Sequence, residues 1–173
     1  MLEKSNVCWS VCEDGHFELV WEGAAVLGAH ALAQHIDGRV IDTRKAVLTE
    51  QTSLTDGWKL VYTAGNGLVL TEYLQVSGEK VPTAYCELSE PGRETETSSL
   101  TPLVFHAPEN NTRGIWKGLW TRMLLVPYDN TMWTRYEALP FSPGRRSYDM
   151  TVLFREDSRE GLLVGATDFS VYT

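Results

Sequence analysis

The sequence lacks any apolar run long enough to cross a bilayer, and it lacks a surplus of positive charge. A membrane-spanning helix needs roughly 20 apolar residues in succession, and no stretch of the chain approaches that length, so we expect no membrane partner. Residues 1–6 lack the apolar core of a secretion signal, which predicts a cytoplasmic protein. The formal net charge of −8 argues against nucleic acid as a partner, because binding a phosphate backbone requires an excess of Lys and Arg.

Cysteine is also scarce, and its odd count of three does not build a disulfide framework. Cys8 and Cys12 are four positions apart, which in a strand places them on one face about 13 Å apart at ~3.3 Å per residue. That separation is too large for a bridge or a shared metal ion. We therefore expect the three thiols to be buried and reduced.

The histidines have no spacing typical of a metal site. His30 and His35 are five apart and fall on opposite faces of a strand, while His16 and His106 are isolated in the sequence. A glycine-rich phosphate loop, a nucleophile elbow and a CxxC pair are absent as well. The residues therefore predict no metal, no cofactor and no catalytic group in this chain.

Period-2 alternation of apolar residues dominates the pattern that is present. Trp9 and its alternate neighbours share one face ahead of an Asp14-Gly15 turn, and Trp58, Leu60 and Tyr62 repeat the pattern ahead of a Gly65-Asn66-Gly67 turn. Such short strands with frequent turns predict an all-β, antiparallel β-sandwich over residues 1–173 as a single domain. We favour strand and loop over helix for the alanine-rich 24–33 stretch, because glycines interrupt it. The stretch 90–101 predicts a long exposed loop.

Residues 116–146 contain the stretch richest in candidate ligand-binding groups. Asp129 and Asn130 follow an apolar strand, and Trp133 and Arg135 come shortly afterwards. Carboxylate and amide groups that bind hydroxyls in pairs, beside aromatic faces that stack on sugar rings, are typical of carbohydrate sites. The alternative is a plain hairpin turn at Asp129-Asn130, with Trp133 and Tyr136 in the core.

The segments Pro127-Tyr128-Asp129-Asn130, Arg135-Tyr136 and Gly161-Leu162-Leu163-Val164-Gly165 resemble a known family. They are similar to the "PYDND…RY" and "GLVVGS" segments in the N-terminal β-domain of α-galactosidase-like glycoside hydrolases of the melibiase clan. The resemblance covers the C-terminal part of the chain, and the earlier part agrees only in its β-rich character. Thr131 departs from the pattern, since a second acidic residue often follows "DN" in the family.

This resemblance implies a galactose-mutarotase-like supersandwich that packs on a catalytic (β/α)8 barrel of the same chain. The catalytic carboxylates would lie beyond Thr173, where the sequence ends on an alternating strand. The implied role is a non-catalytic domain of a glycoside hydrolase that contacts a galactoside-like sugar. Asp129, Asn130, Trp133 and Arg135 are the substrate-binding candidates, and an oligomer of the full protein is expected.

Two other functional readings stay open beside this one. The first is a free-standing carbohydrate-binding, lectin-like module that reads sugars with Trp116, Trp120 or Trp133. The second is an aldose mutarotase or epimerase, which would need a histidine and a carboxylate as acid and base; His106 with Glu137 is the best pair that the sequence offers. A purely structural role is a further alternative for any β-sandwich.

Overall fold

The computed structural model describes residues 7–12, 15–78, 80–106, 122–126, 137–140, 150–157 and 161–165. The described residues contain thirteen strands and no helix, and every strand pair is antiparallel. The all-β, antiparallel class predicted from the alternation is therefore confirmed. The strands are β1 (Val7–Val11), β2 (Phe17–Trp21), β3 (Ala24–His35), β4 (Val40–Asp42), β5 (Val47–Leu54), β6 (Gly57–Thr63), β7 (Val69–Val76), β8 (Pro82–Ser89), β9 (Thr97–His106), β10 (Arg122–Leu125), β11 (Glu137–Pro140), β12 (Met150–Phe154) and β13 (Gly161–Gly165).

The chain divides into two compact units, Met1–Arg113 and Gly114–Thr173. The first unit holds two sheets, one ordered β1-β2-β3-β4 with β9 on β3, and one ordered β5-β6-β7-β8. The second unit holds a four-stranded sheet ordered β11-β10-β12-β13. The single domain expected over residues 1–173 stays a prediction. No helix among the described residues has the length and apolar character to span a membrane.

Strand β3 is the centre of the first sheet and the longest strand among the described residues. Its first half pairs with β2 and its second half with β4, while β9 pairs along residues 28–35. Since a strand has only two edges, β2 and β4 share one edge and β9 takes the other. The alanine-rich stretch is thus a strand, as favoured from the sequence, because small side chains let it lie buried between two neighbouring strands.

The two sheets of the first unit pack through aromatic side chains. Trp9 lies edge-on against Phe17, with ring centroids 5.9 Å apart, and its indole nitrogen donates a hydrogen bond to the Gln75 carbonyl at 3.0 Å. The indole of Trp58 donates in return to the Trp9 carbonyl at 3.1 Å. A buried aromatic side chain whose polar atom is hydrogen-bonded contributes its full apolar surface to the core. Trp9 therefore links the two sheets of this sandwich-like unit.

The loop after β8 is shorter than the sequence suggested. Glu90 and Arg93 close a tight turn, and β9 begins at Thr97. Residues 97–100 are exposed and residue 101 is half-buried, but all five form a strand instead of a loop. The reason is pairing with β3, in which Leu100 lies opposite Ala33. Strand β3 supplies the backbone hydrogen-bond partners that an isolated polar segment lacks. Exposed Ser and Thr residues are compatible with an outer strand.

An ion-pair group built on Arg39 ties three connections of this unit together. Its guanidinium contacts the Asp37 carboxylate at 2.7 Å, donates to both Glu90 oxygens at 3.1 and 2.7 Å, and reaches the Asn66 carbonyl at 3.1 Å. Hydrogen bonding from Arg39 lowers the pKa of Asp37 to about 2. All these donors are satisfied within the group, so its role is to hold loops in place.

Candidate metal centre

One face of the first sheet carries histidines that are buried, although polar side chains on a sheet usually face solvent. Phe17 on β2 and Ala29 on β3 lie in the core, so the alternation turns their neighbours to the opposite face. That opposite face holds His16 and His30, which are only 5% and 3% exposed. Buried imidazoles need polar partners, and the Nδ1 of His30 has no hydrogen-bond partner among the described residues.

The β1–β2 hairpin places three potential ligands on this face. Cys12 and His16 are held together where the hairpin closes, because the Cys12 amide donates to the His16 carbonyl at 2.9 Å. Glu18 follows two residues after His16 and so points to the same side. The Cys12 sulfur, one His16 ring nitrogen and one Glu18 oxygen all lie within 4.8 Å of one another. We call these three residues the ligand cluster.

Hydrogen bonds at Gly15 hold the hairpin that carries the ligand cluster in place. Gly15 adopts a φ of 87°, which L side chains rarely tolerate, and its amide donates to the Cys12 carbonyl at 3.0 Å. The buried Tyr62 hydroxyl on β6 donates to the Gly15 carbonyl. The turn is therefore anchored to the second sheet of the unit, and Cys12 and His16 are held at fixed positions.

His106 reaches the same face from the last residue of β9. Glu18 on β2 and His106 on β9 both lie opposite Gly28 of β3, one on each side. Their strands are two spacings of about 4.8 Å apart, and Gly28 places no side chain between them. The His106 ring centroid lies 5.6 Å from that of His16 and 5.6 Å from that of His30. Three of the four histidines of the chain thus meet on one sheet face.

A charged pair borders the histidines at the other edge of β3. Arg44 donates to both Asp42 oxygens, at 3.1 and 2.8 Å, which holds the pKa of Asp42 below its ordinary value. The Asp42 carboxylate lies 3.9 Å from the His30 Nε2. Burial lowers the pKa of His30, and the nearby Arg44 lowers it further. Burial thus favours the neutral form of this imidazole, and neutral imidazole is the form that ligates metals.

The donor types of the ligand cluster favour a borderline transition-metal ion. Thiolate, imidazole and carboxylate together form a typical zinc donor set, with bond lengths of roughly 2.0–2.3 Å. Calcium and magnesium prefer oxygen donors throughout, so the sulfur and nitrogen argue against them. Donors on one tetrahedral ion lie roughly 3.5 Å apart by these bond lengths, and small side-chain rotations would close the cluster to that size.

A second buried ionisable group lies inside the core of the first unit. Glu72 on β7 is fully buried, and neither carboxyl oxygen has a hydrogen-bond partner among the described residues. Burial raises its pKa well above the ordinary value. Cys86 lies opposite on β8, and burial raises the pKa of its thiol to about 12. Burial therefore disfavours the charged form of both groups.

The substrate-binding residues expected from the sequence, Asp129, Asn130, Trp133 and Arg135, lie outside the described residues, and their role stays a prediction. The same holds for Trp116 and Trp120. Of the pair proposed for a mutarotase, His106 belongs to the first unit and Glu137 to β11 of the second, and their pairing also stays a prediction.

Sequence reasoning missed the ligand cluster because it compared the histidines only with one another. A usable signal was present, since continuing the alternation through the predicted Asp14-Gly15 turn places Cys12, His16 and Glu18 on one face. No local pattern predicts the position of His106, because the pairing of β3 with a strand distant in sequence places it on this face. The expectation of three buried thiols was right for Cys86 but wrong for Cys8, which is exposed, and for Cys12, which is half-buried. An outer position on β1 with alternate residues turned to solvent explains the exposure of Cys8.

No protein-family model matches the chain, and comparisons with curated proteins and with solved structures gave no match.

Proposed function

We propose that this protein binds one borderline transition-metal ion, with Zn²⁺ as the representative, through Cys12, His16 and Glu18. The observation that carries the proposal is the convergence of a sulfur, an imidazole nitrogen and a carboxylate oxygen within 4.8 Å of one another. Exposed acidic residues often cluster without binding a metal ion, because they interact with water. A thiol and a buried imidazole beside a carboxylate are not explained in that way. Zn²⁺ accepts all three donor types.

The surroundings of the ligand cluster also suit a metal ion. Tyr62 anchors the hairpin, so its ligands are already ordered in the folded protein and metal binding loses less conformational entropy. His16 is buried and Cys12 and Glu18 are half-buried, so a bound ion would be partly shielded from water. Shielding strengthens the attraction between a cation and its anionic ligands.

The test is a titration of the metal-free protein with Zn²⁺ in competition with a chromophoric chelator. We expect one Zn²⁺ per chain, and Cys12→Ser is expected to weaken binding by more than the roughly 10–100-fold that loss of an outer-shell partner costs. Loading with Co²⁺ is expected to give an intense sulfur-to-metal charge-transfer band that Cys12→Ser abolishes. Far-UV circular dichroism of each metal-free variant checks that its fold is retained.

The matched control is Cys8→Ser, which removes an exposed thiol on the same strand. Zinc affinity and the Co²⁺ band are expected to be unchanged in this variant. Absence of Zn²⁺ binding by the parent protein, or equal losses in Cys8→Ser and Cys12→Ser, would refute the proposal.

A further inference from the structure

We infer that His106 is the fourth protein ligand, so that the metal shell is closed and the ion fastens β9 to the β1–β2 hairpin. This inference rests on the proposed function and concerns the class of the site. Three protein ligands and an exchangeable water are typical of catalytic zinc, whereas four protein ligands are typical of structural zinc. The identity of the fourth donor therefore decides what the ion does.

The first argument is the position of His106 in the sheet. It lies across Gly28 from Glu18, on the same sheet face as the ligand cluster. The Cα positions on β2 and β9 are roughly 10 Å apart at two strand spacings. A glutamate and a histidine reaching towards each other span such a distance around one ion, provided that the intervening residue has no side chain. Gly28 meets that condition, and an alanine or a larger residue there would stand between the two ligands.

The second argument is the distance between the two imidazole rings. With metal–nitrogen bonds of roughly 2.0–2.1 Å, the ring centres of two imidazoles on one tetrahedral ion lie roughly 5 Å apart. The His16 and His106 centroids are 5.6 Å apart with an interplanar angle of 67°. This spacing is close to the bound geometry. His106 is not among the donors that lie within 4.8 Å of one another, so we expect its side chain to rotate to bring a ring nitrogen to the ion.

His30 is the competing candidate, and its surroundings favour an outer position. Its Nε2 faces the Asp42 carboxylate at 3.9 Å, and Arg44 holds that carboxylate in place. The His30 ring lies 5.6 Å from that of His106 and tilted against it by 31°, so His30 packs beside His106. A histidine flanked by a fixed carboxylate is suited to orienting a ligand. We therefore assign His30 as a positioning residue and His106 as the ligand.

The experiment compares His106→Ala with His30→Ala in the full chain loaded with Co²⁺ or Zn²⁺. We expect His106→Ala to lower zinc affinity at least 100-fold and His30→Ala to lower it by roughly 10-fold, as loss of an outer-shell partner does. The Co²⁺ spectrum of the parent protein is expected not to respond to azide, because no water occupies the shell. The spectrum of His106→Ala is expected to respond, and added imidazole is expected to restore the parent spectrum. His106→Gln serves as a second variant if His106→Ala misfolds.

The outcomes separate this inference from the proposed function. If His106→Ala binds Zn²⁺ as tightly as the parent and the parent Co²⁺ spectrum shifts with azide, the shell is open and the inference is wrong, while metal binding stands. A larger loss in His30→Ala than in His106→Ala would also overturn the assignment. If the parent protein binds no Zn²⁺, both proposals fail together.

Discussion

At the scale of single residues, Glu72 lies in an environment that opposes its charge. Its carboxyl is fully buried between the sheets of the first unit, and both oxygens are without hydrogen-bond partners among the described residues. The titratable groups on the same sheet face are Cys86 of β8 and Tyr62 of β6, and neither donates a hydrogen bond to it. A buried polar group without partners costs about 1–3 kcal/mol, so Glu72 is expected to weaken the fold.

We predict that Glu72→Leu stabilises the protein and that the gain depends on pH. Because burial raises the folded-state pKa of Glu72, the folded protein holds this proton more tightly than the unfolded chain does. The stabilisation by that proton is complete below the ordinary pKa of 4.5 and is lost as the pH rises towards the raised value. The advantage of Glu72→Leu over the parent should therefore grow above pH 4.5, by up to about 1.4 kcal/mol for each pH unit.

Urea unfolding between pH 5 and pH 8 measures this difference. Glu87→Gln is the control, since Glu87 is an exposed carboxylate on the adjacent strand, and its effect is expected to be within about 0.5 kcal/mol at every pH. Equal stability of the parent and Glu72→Leu across this range would show that Glu72 is satisfied in the folded protein.

At the scale of elements, local signals predicted the hairpins well. The Gly65-Asn66-Gly67 turn lies between β6 and β7 as expected, because Gly67 adopts a φ of 86° and the Asn66 side chain accepts a hydrogen bond from the Leu68 amide at 3.2 Å. Strand β5 has no such signal, since most of its residues are exposed and its alternation is weak. Pairing with β6 alone makes it a strand, and that information is not local.

We predict that Gly57→Ala weakens the pairing of β6 with β7. A Cβ atom at Gly57 would collide with the backbone carbonyl of Leu74, which cannot move without breaking the sheet. We expect a loss of about 1–3 kcal/mol, the usual cost of overpacking, measured by equilibrium urea unfolding. Gly65→Ala is the matched control, because nothing lies within 4 Å of a Cβ atom at that position. Similar stabilities of the two variants would contradict the close approach of the strands.

At the scale of the whole molecule, the fold class followed from the sequence, but the ligand cluster did not. Alternation and turns are properties of neighbouring residues, so they predict strands and hairpins. The approach of His106 depends on the pairing of β9 with β3, which joins Gly28 to a residue 78 positions later in the sequence, and no local pattern encodes that pairing. The sugar-binding residues expected near position 130 lie outside the described residues, so the sequence remains the sole basis for that prediction.

The last prediction concerns where in the chain a metal ion acts. A ligand that binds only the folded protein stabilises it by mass action, by about 2.7 kcal/mol at 100 times its dissociation constant. Since the ligand cluster lies on the β1–β2 hairpin and His106 ends β9, we expect Zn²⁺ to slow amide hydrogen exchange in those two segments above all. Strand β5 contributes no ligand and serves as the internal reference, and Cys12→Ser should abolish the effect. Protection of the hairpin without β9 would indicate a three-ligand site, whereas equal protection of β5 would show that the ion acts away from the ligand cluster.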